Sequence, residues 1–146
     1  KFVEPMGDFV LPMSVDIPLV FVAGGIGDTP FHSMVKWMID THEKRNIQII
    51  LAANQPRDIV FEELFKDYGT RITSIVSVPD KTWRGQTGRL SADKILELTG
   101  QPVHKRIYVS GPEPMVESLE HDLLAHGLEK SQLVFDYFPG YSPDLK

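Results

Sequence analysis

Residues 18–34 read PLVFVAGGIGDTPFHSM. The apolar run Leu19–Ala23 stops at Gly24-Gly25, and Gly27, Asp28, Thr29 and Pro30 follow at once. A second rhythm then begins, with Phe31, Met34, Val35 and Met38 at i, i+3, i+4 and i+7, one face of a helix. A strand that passes straight into a helix leaves the first backbone N–H groups of the helix without partners. Those groups and the helix dipole favour an anion. Glycine lets a ligand come close to the backbone. Thr29 reads as the N-cap and Pro30 as the first helical residue. The stretch suits a phosphate or a diphosphate. A tight turn that needs glycine only for its geometry is the competing reading.

Several phosphate loops are excluded. No Gly-Lys-Ser/Thr follows, so this is not a Walker A loop. Gly25-Ile26-Gly27 is followed by Asp28-Thr29-Pro30, not by the rest of a G-x-G-x-x-G fingerprint. No acid closes the second apolar run, where Ala52-Ala53-Asn54-Gln55 stands in place of a ribose-binding Asp or Glu. A phospho-receiver would carry an acidic pair after its first strand. Asp28 is the awkward residue. A carboxylate about 4 Å from a phosphate opposes it by ~4 kcal/mol at an effective dielectric of roughly 20. That exceeds the ~0.3–1 kcal/mol typical of a helix dipole. The expectation is that Asp28 turns away, towards solvent or a neighbouring domain.

Working outward, five β-branched-rich runs read as buried strands: 19–23, 47–53, 72–78, 106–110 and 133–138. Helical patterns separate them. Residues 59–65 suggest a short helix. Ser91 reads as the cap of ADKILEL, with Gly100 at its C-terminal end. Residues 114–126 place Met115, Leu119, Leu123 and Leu124 along a helix that Gly127 ends. The alternation argues for a parallel sheet with helices on both faces. Residues 1–17 lack this pattern, so the domain is taken to start near Pro18.

The 146 residues suffice for one domain, and a formal net charge of −5 argues against nucleic acid as a partner. The chain has no cysteine, which rules out disulfides, zinc thiolates and cysteine-held iron–sulfur clusters on these residues and fits a reducing cytoplasm. No apolar run is long enough to span a bilayer, so no membrane insertion is expected. The N-terminal residues do not read as a signal peptide. The five histidines form no i, i+4 pair, so no metal site is expected. Glu62-Glu63 diverge on a helix and make no acid–base pair, and no G-x-S-x-G elbow occurs.

Four motifs in order resemble the ferredoxin–NADP reductase superfamily. AGGIGDTPFHSM (residues 23–34) is similar to its G-G-x-G-x-[TA]-P loop, and YVSGPEPMVESL (108–119) to its C-G-P-x-x-M motif. WRGQTGRL (83–90) resembles its W-x-G-x-x-G-x-[IVL] segment, and FDYFPGY (135–141) its last strand. GDFVLP (7–12) looks like the end of its flavin barrel. With the resemblance goes a fold expectation: an α/β, three-layer α-β-α, Rossmann-like domain with a five-stranded parallel sheet in the order 3-2-1-4-5. Residues 1–17 would be the tail of an upstream FAD-binding barrel plus a linker, and residues 18–146 the NAD(P)-binding domain. FAD would be held mainly by that barrel, outside these residues, and the domain alone would be inactive.

The resemblance also implies roles. Gly24, Gly25 and Gly27 would let a dinucleotide lie on the backbone, with Thr29 framing it. Ser110 and Gly111 would lie beside the nicotinamide; Ser110 stands where many relatives carry cysteine. Pro112, Pro114 and Met115 would flank the adenosine side, and Phe138 the junction of flavin and nicotinamide. Asn54 and Arg57 follow the second strand near the adenosine ribose. Thr29, Ser110 and Phe138 are the catalytic candidates. The cofactor would be NADH or NADPH. NADH is favoured because Asp80, in SVPDKTW, would repel a further phosphate, although Arg57, Lys81 and Arg84 could serve NADPH. The electron acceptor would be a ferredoxin or another iron–sulfur or haem protein. A dinucleotide-binding or interaction module without enzymatic activity is the alternative. Gly27→Val is expected to weaken nucleotide binding and leave the domain folded.

Overall fold

A computed structural model describes residues 9–59, 62–100 and 104–138. Its centre is one parallel sheet: β1 (Leu19–Gly24), β2 (Ile47–Ala53), β3 (Arg71–Val76), β4 (Gln86–Thr87), β5 (Arg106–Pro112) and β6 (Leu133–Phe138). The spatial order is β4-β3-β2-β1-β5-β6, and every neighbouring pair is parallel. Four helices connect the strands: α1 (Thr29–Thr41), α2 (Glu62–Tyr68), α3 (Ala92–Thr99) and α4 (Glu113–Ala125).

The sheet has six strands where five were expected. The extra one, β4, is two exposed residues at the edge, paired Ile75 to Gln86 and Val76 to Thr87. Backbone pairing defines it and burial does not, so it has no apolar signature. A strand this short also offers little edge for another chain to pair with. Without β4, the order is the expected 3-2-1-4-5.

The alternation of residues along β1 builds two cores. Leu19, Phe21 and Ala23 point to one side, where they meet Phe31, Val35 and Met38 of α1 and Phe65 of α2. Val20 and Val22 point to the other, where they meet Ile95 of α3 and Val116, Leu119 and Leu123 of α4. All six β1 residues are buried because helices cover both faces. Leu19, Val20, Phe21 and Val22 each contribute roughly 1.5–3 kcal/mol by leaving water. Ser91 caps α3 as expected, accepting from the Lys94 N–H at 3.1 Å.

Phe9 and Leu11 pack on the α1 side. Phe9 is buried, with its ring 5.6 Å from that of Phe31 and 5.3 Å, edge-on, from that of Tyr108. The Tyr108 hydroxyl donates to the Val10 carbonyl at 2.5 Å. Arg45 donates to the carbonyls of Pro12 (2.7 Å) and Ser14 (3.3 Å), while Glu43 holds its Nε at 2.6 Å. Gly7 and Asp8 of GDFVLP, residues 60–61 of the expected 59–65 helix, and residues 139–141 of FDYFPGY lie outside the described residues.

Candidate functional site

β1 sits where the chain reverses its direction of travel across the sheet, with β2 on one side and β5 on the other. In open parallel sheets, ligands bind at the carboxyl ends of strands at such a switch point. Here β1 ends at Gly24, a single 3₁₀ turn spans Gly25–Asp28, and α1 begins. A cleft of about 750 Å³ opens at this edge. That lies within the ~300–1,000 Å³ usual for cofactor pockets. Gly24, Gly25, Asp28 and Thr29 line it from the turn, and Pro112 and Met115 from the β5–α4 junction. Asn54, Arg57 and Asp58 line it after β2, Ser77 after β3, and Gly88, Arg89 and Leu90 after β4. Ser77 donates to Asn54 Oδ1 at 3.0 Å and ties the ends of β2 and β3 together.

The glycines do different work. Gly25 has φ +59° with nothing within 4 Å of where a Cβ would stand, so it supplies a left-handed turn on open cleft surface. Gly27 meets β5: a Cβ there would stand 2.1 Å from the Ser110 carbonyl oxygen and 2.9 Å from the Gly111 Cα. Gly24 lies under Met115, whose Sδ would be 2.2 Å from an added Cβ.

The seven expected residues Gly24, Gly25, Thr29, Asn54, Arg57, Pro112 and Met115 share the cleft. Gly27, Ser110, Gly111 and Pro114 are not on its lining. Ser110 is buried in β5, in register with Ala23 on one side and Asp136 on the other. Phe138 ends β6 beside Pro112. Arg89, Asp58 and Ser77 were not singled out from the sequence. Only the sheet order brings the ends of β2, β3 and β4 side by side.

Three sequence-based expectations change. Thr29 is not the N-cap: Asp28 holds that position, with no side-chain cap bond, and Thr29 and Pro30 are the first two helical residues. Helix boundaries set by backbone geometry commonly move by one residue. Asp28 is not turned to solvent but is buried at 3% exposure on the cleft wall. Burial raises its carboxyl above the ordinary range, opposed by its own backbone N–H and by His32. Asp80 stays off the cleft. It is exposed and closes its own turn, accepting from the Thr82 hydroxyl at 2.6 Å and the Thr82 N–H at 2.9 Å. Those bonds, the hydroxyl's first, hold its carboxyl below the usual range.

A parallel α/β sheet with a glycine turn and a crevice at its switch point defines a nucleotide-binding type of domain. The chain belongs to the oxidoreductase NAD-binding domain family, whose model matches residues 21–121, and so to the ferredoxin–NADP reductase superfamily. The glycine betaine monooxygenase reductase subunit of Pseudomonas aeruginosa is 26% identical over 144 residues, covering 91% of this chain and 39% of that protein. The xylene/toluene monooxygenase electron transfer component of Pseudomonas putida is 30% identical, covering 95% and 41%. This chain therefore spans about two fifths of the length of these relatives. The FAD/NAD-binding domain of a Vibrio cholerae nitric oxide dioxygenase has the same fold, with a TM-score of 0.74 at 18% identity over 90% of this chain and 54% of that one.

Proposed function

We propose that this chain binds a reduced nicotinamide dinucleotide and presents it to a flavin held by an upstream barrel, within an NAD(P)H-dependent flavoprotein reductase. Residues 1–17 are then the tail of that barrel and a linker, and residues 18–146 the nucleotide domain. The observation that carries this reading is the cleft at the switch point, floored by glycines and walled by the β5–α4 junction. An open Gly25, beside a Gly24 that Met115 covers, suits a ligand that lies against the backbone.

When bound, the nicotinamide supplies the hydride and the flavin accepts it; the protein's share is binding and orientation. The backbone N–H groups from Gly25 to Thr29 and the dipole of α1 hold the diphosphate. Asn54 and Arg57 hold the adenosine side, with Arg57 suited to charge-assisted bonds. Pro112, Pro114 and Met115 flank the dinucleotide. Gly27 and Gly111 keep the turn and β5 in close contact, Ser110 backs the nicotinamide end from within β5, and Thr29 and Phe138 frame it.

NADH is the preferred form. Asp58 shares the rim with Arg57 and Arg89 and offsets part of their charge, which weakens the attraction for the extra phosphate of NADPH. Electrons then pass to a ferredoxin or another iron–sulfur or haem protein. A cytoplasmic location fits a chain in which no helix of the described residues is long and apolar enough to cross a membrane.

The test is a titration of the folded chain with NADH and with NADPH. Saturable binding, tighter for NADH, is the expected result. Tighter NADPH binding overturns the preference, and no saturable binding of either overturns the reading.

A further inference from the structure

Asp28 is a carboxylate that helix formation does not explain. It occupies the N-cap of α1, yet its side chain makes no capping bond to the first turn and draws only on its own N–H. It is buried, and it lines the same cleft as Gly24 and Gly25. The dinucleotide reading above brings an anionic diphosphate into that cleft, and the present inference rests on that reading.

The surroundings offer Asp28 little to offset a second anion. β1 and β2 carry no titratable side chain. β5 carries Arg106, at the end remote from the cleft, and Tyr108, whose hydroxyl is committed to the Val10 carbonyl. On α1, His32 lies one turn beyond Asp28 and bears on its charge. Arg57, Asp58 and Arg89 stand on the cleft's exposed rim, and Glu113 opens α4.

We propose that a dinucleotide enters this cleft together with one proton, which Asp28 takes up from solvent. A second anion brought close to a buried carboxylate disfavours its ionised form and raises its pKa. A diphosphate diester is the stronger acid, so the carboxylate takes the proton. Burial already raises the Asp28 carboxyl above the ordinary carboxylate range in the free protein, where it still ionises. The bound-state pKa of Asp28 then lies above its free-state pKa. Affinity is full below the free-state value and falls by up to about tenfold per pH unit between the two. Above both it levels off at a lower plateau.

The experiment is calorimetric titration of the wild-type chain with NADH, from about pH 6 to about pH 8, in paired buffers of unlike ionisation enthalpy. NADH is the probe because its phosphates do not titrate there, whereas the phosphate monoester of NADPH does, near pH 6. The expected result is net proton uptake and affinity that declines with pH. Asp28→Asn should bind with no uptake and a flat profile, while His32→Gln should keep both uptake and slope. NADH binding to wild type with no proton uptake overturns the proposal without any variant. Uptake that survives in Asp28→Asn but vanishes in His32→Gln assigns the proton to the imidazole and also overturns it. Absence of saturable NADH binding at every pH is the separate outcome that overturns the dinucleotide reading itself, and this proposal with it.

Discussion

Gly27 lies against Ser110: a Cβ on Gly27 would stand 2.1 Å from the Ser110 carbonyl oxygen and 2.5 Å from its carbonyl carbon. Both are backbone atoms of a central strand and cannot rotate aside. Gly27→Ala should therefore lower stability by at least ~1–3 kcal/mol, the range for overpacked sites. Chemical denaturation checks this. The sequence-based expectation that Gly27→Val leaves the domain folded is replaced by one of unfolding or a displaced turn.

Gly25 gives the cleaner probe of the cleft. Its Cβ position is open, so an added methyl meets only the cost of a left-handed backbone, ~1–2 kcal/mol. Gly25→Ala should fold, lose about that much stability, and bind NADH more weakly because the methyl projects where the ligand approaches. Melting and NADH titration of the same sample separate the two effects. Unchanged affinity in the folded variant would make the turn structural only.

Phe9 and Tyr108 tie the entering segment to the sheet. Phe9 is buried against two aromatic rings, so Phe9→Ala should cost ~3–5 kcal/mol. Tyr108→Phe removes the hydroxyl's bond to the Val10 carbonyl and its contact with the Arg106 side chain, for ~0.5–1.5 kcal/mol, because Val10 is exposed and water can satisfy its carbonyl. Equilibrium unfolding distinguishes them. Equal, negligible losses would mean that residues 9–14 contribute nothing to this unit.

His126 joins α4 to α3. Its Nδ1 bonds the Asp122 carbonyl at 2.8 Å and its Nε2 meets Asp93 Oδ1 at 2.6 Å. Both nitrogens donate only in the imidazolium. The Asp122 carbonyl first, and Asp93 next, raise the His126 pKa above its ordinary value. Folding thus favours the charged form. The stabilisation is complete below the unfolded value near about 6.5 and is lost as pH rises through the higher folded value. An NMR titration of the imidazole should show the raised midpoint, and Asp93→Asn should move it part of the way down.

Much of the fold was legible because it rests on local patterns. The five apolar runs, the i, i+3, i+4 spacing of Phe31 to Met38, and Ser91 before ADKILEL each depend on neighbours in sequence. The edge strand β4 escaped because two exposed polar residues carry no periodicity. Arg89 escaped for a related reason: its place beside Asn54 and Arg57 follows from pairing of β4 with β3, and of β3 with β2.

The sequence alone determined the alternation of strand and helix and the glycine turn that joins β1 to α1, since periodicity and backbone freedom act over a few residues. Tertiary structure decided what that turn does. It buried Asp28 in the cleft, pressed Gly27 onto the Ser110 carbonyl and left Gly25 open, because burial and close approach depend on which distant strand the sheet places alongside.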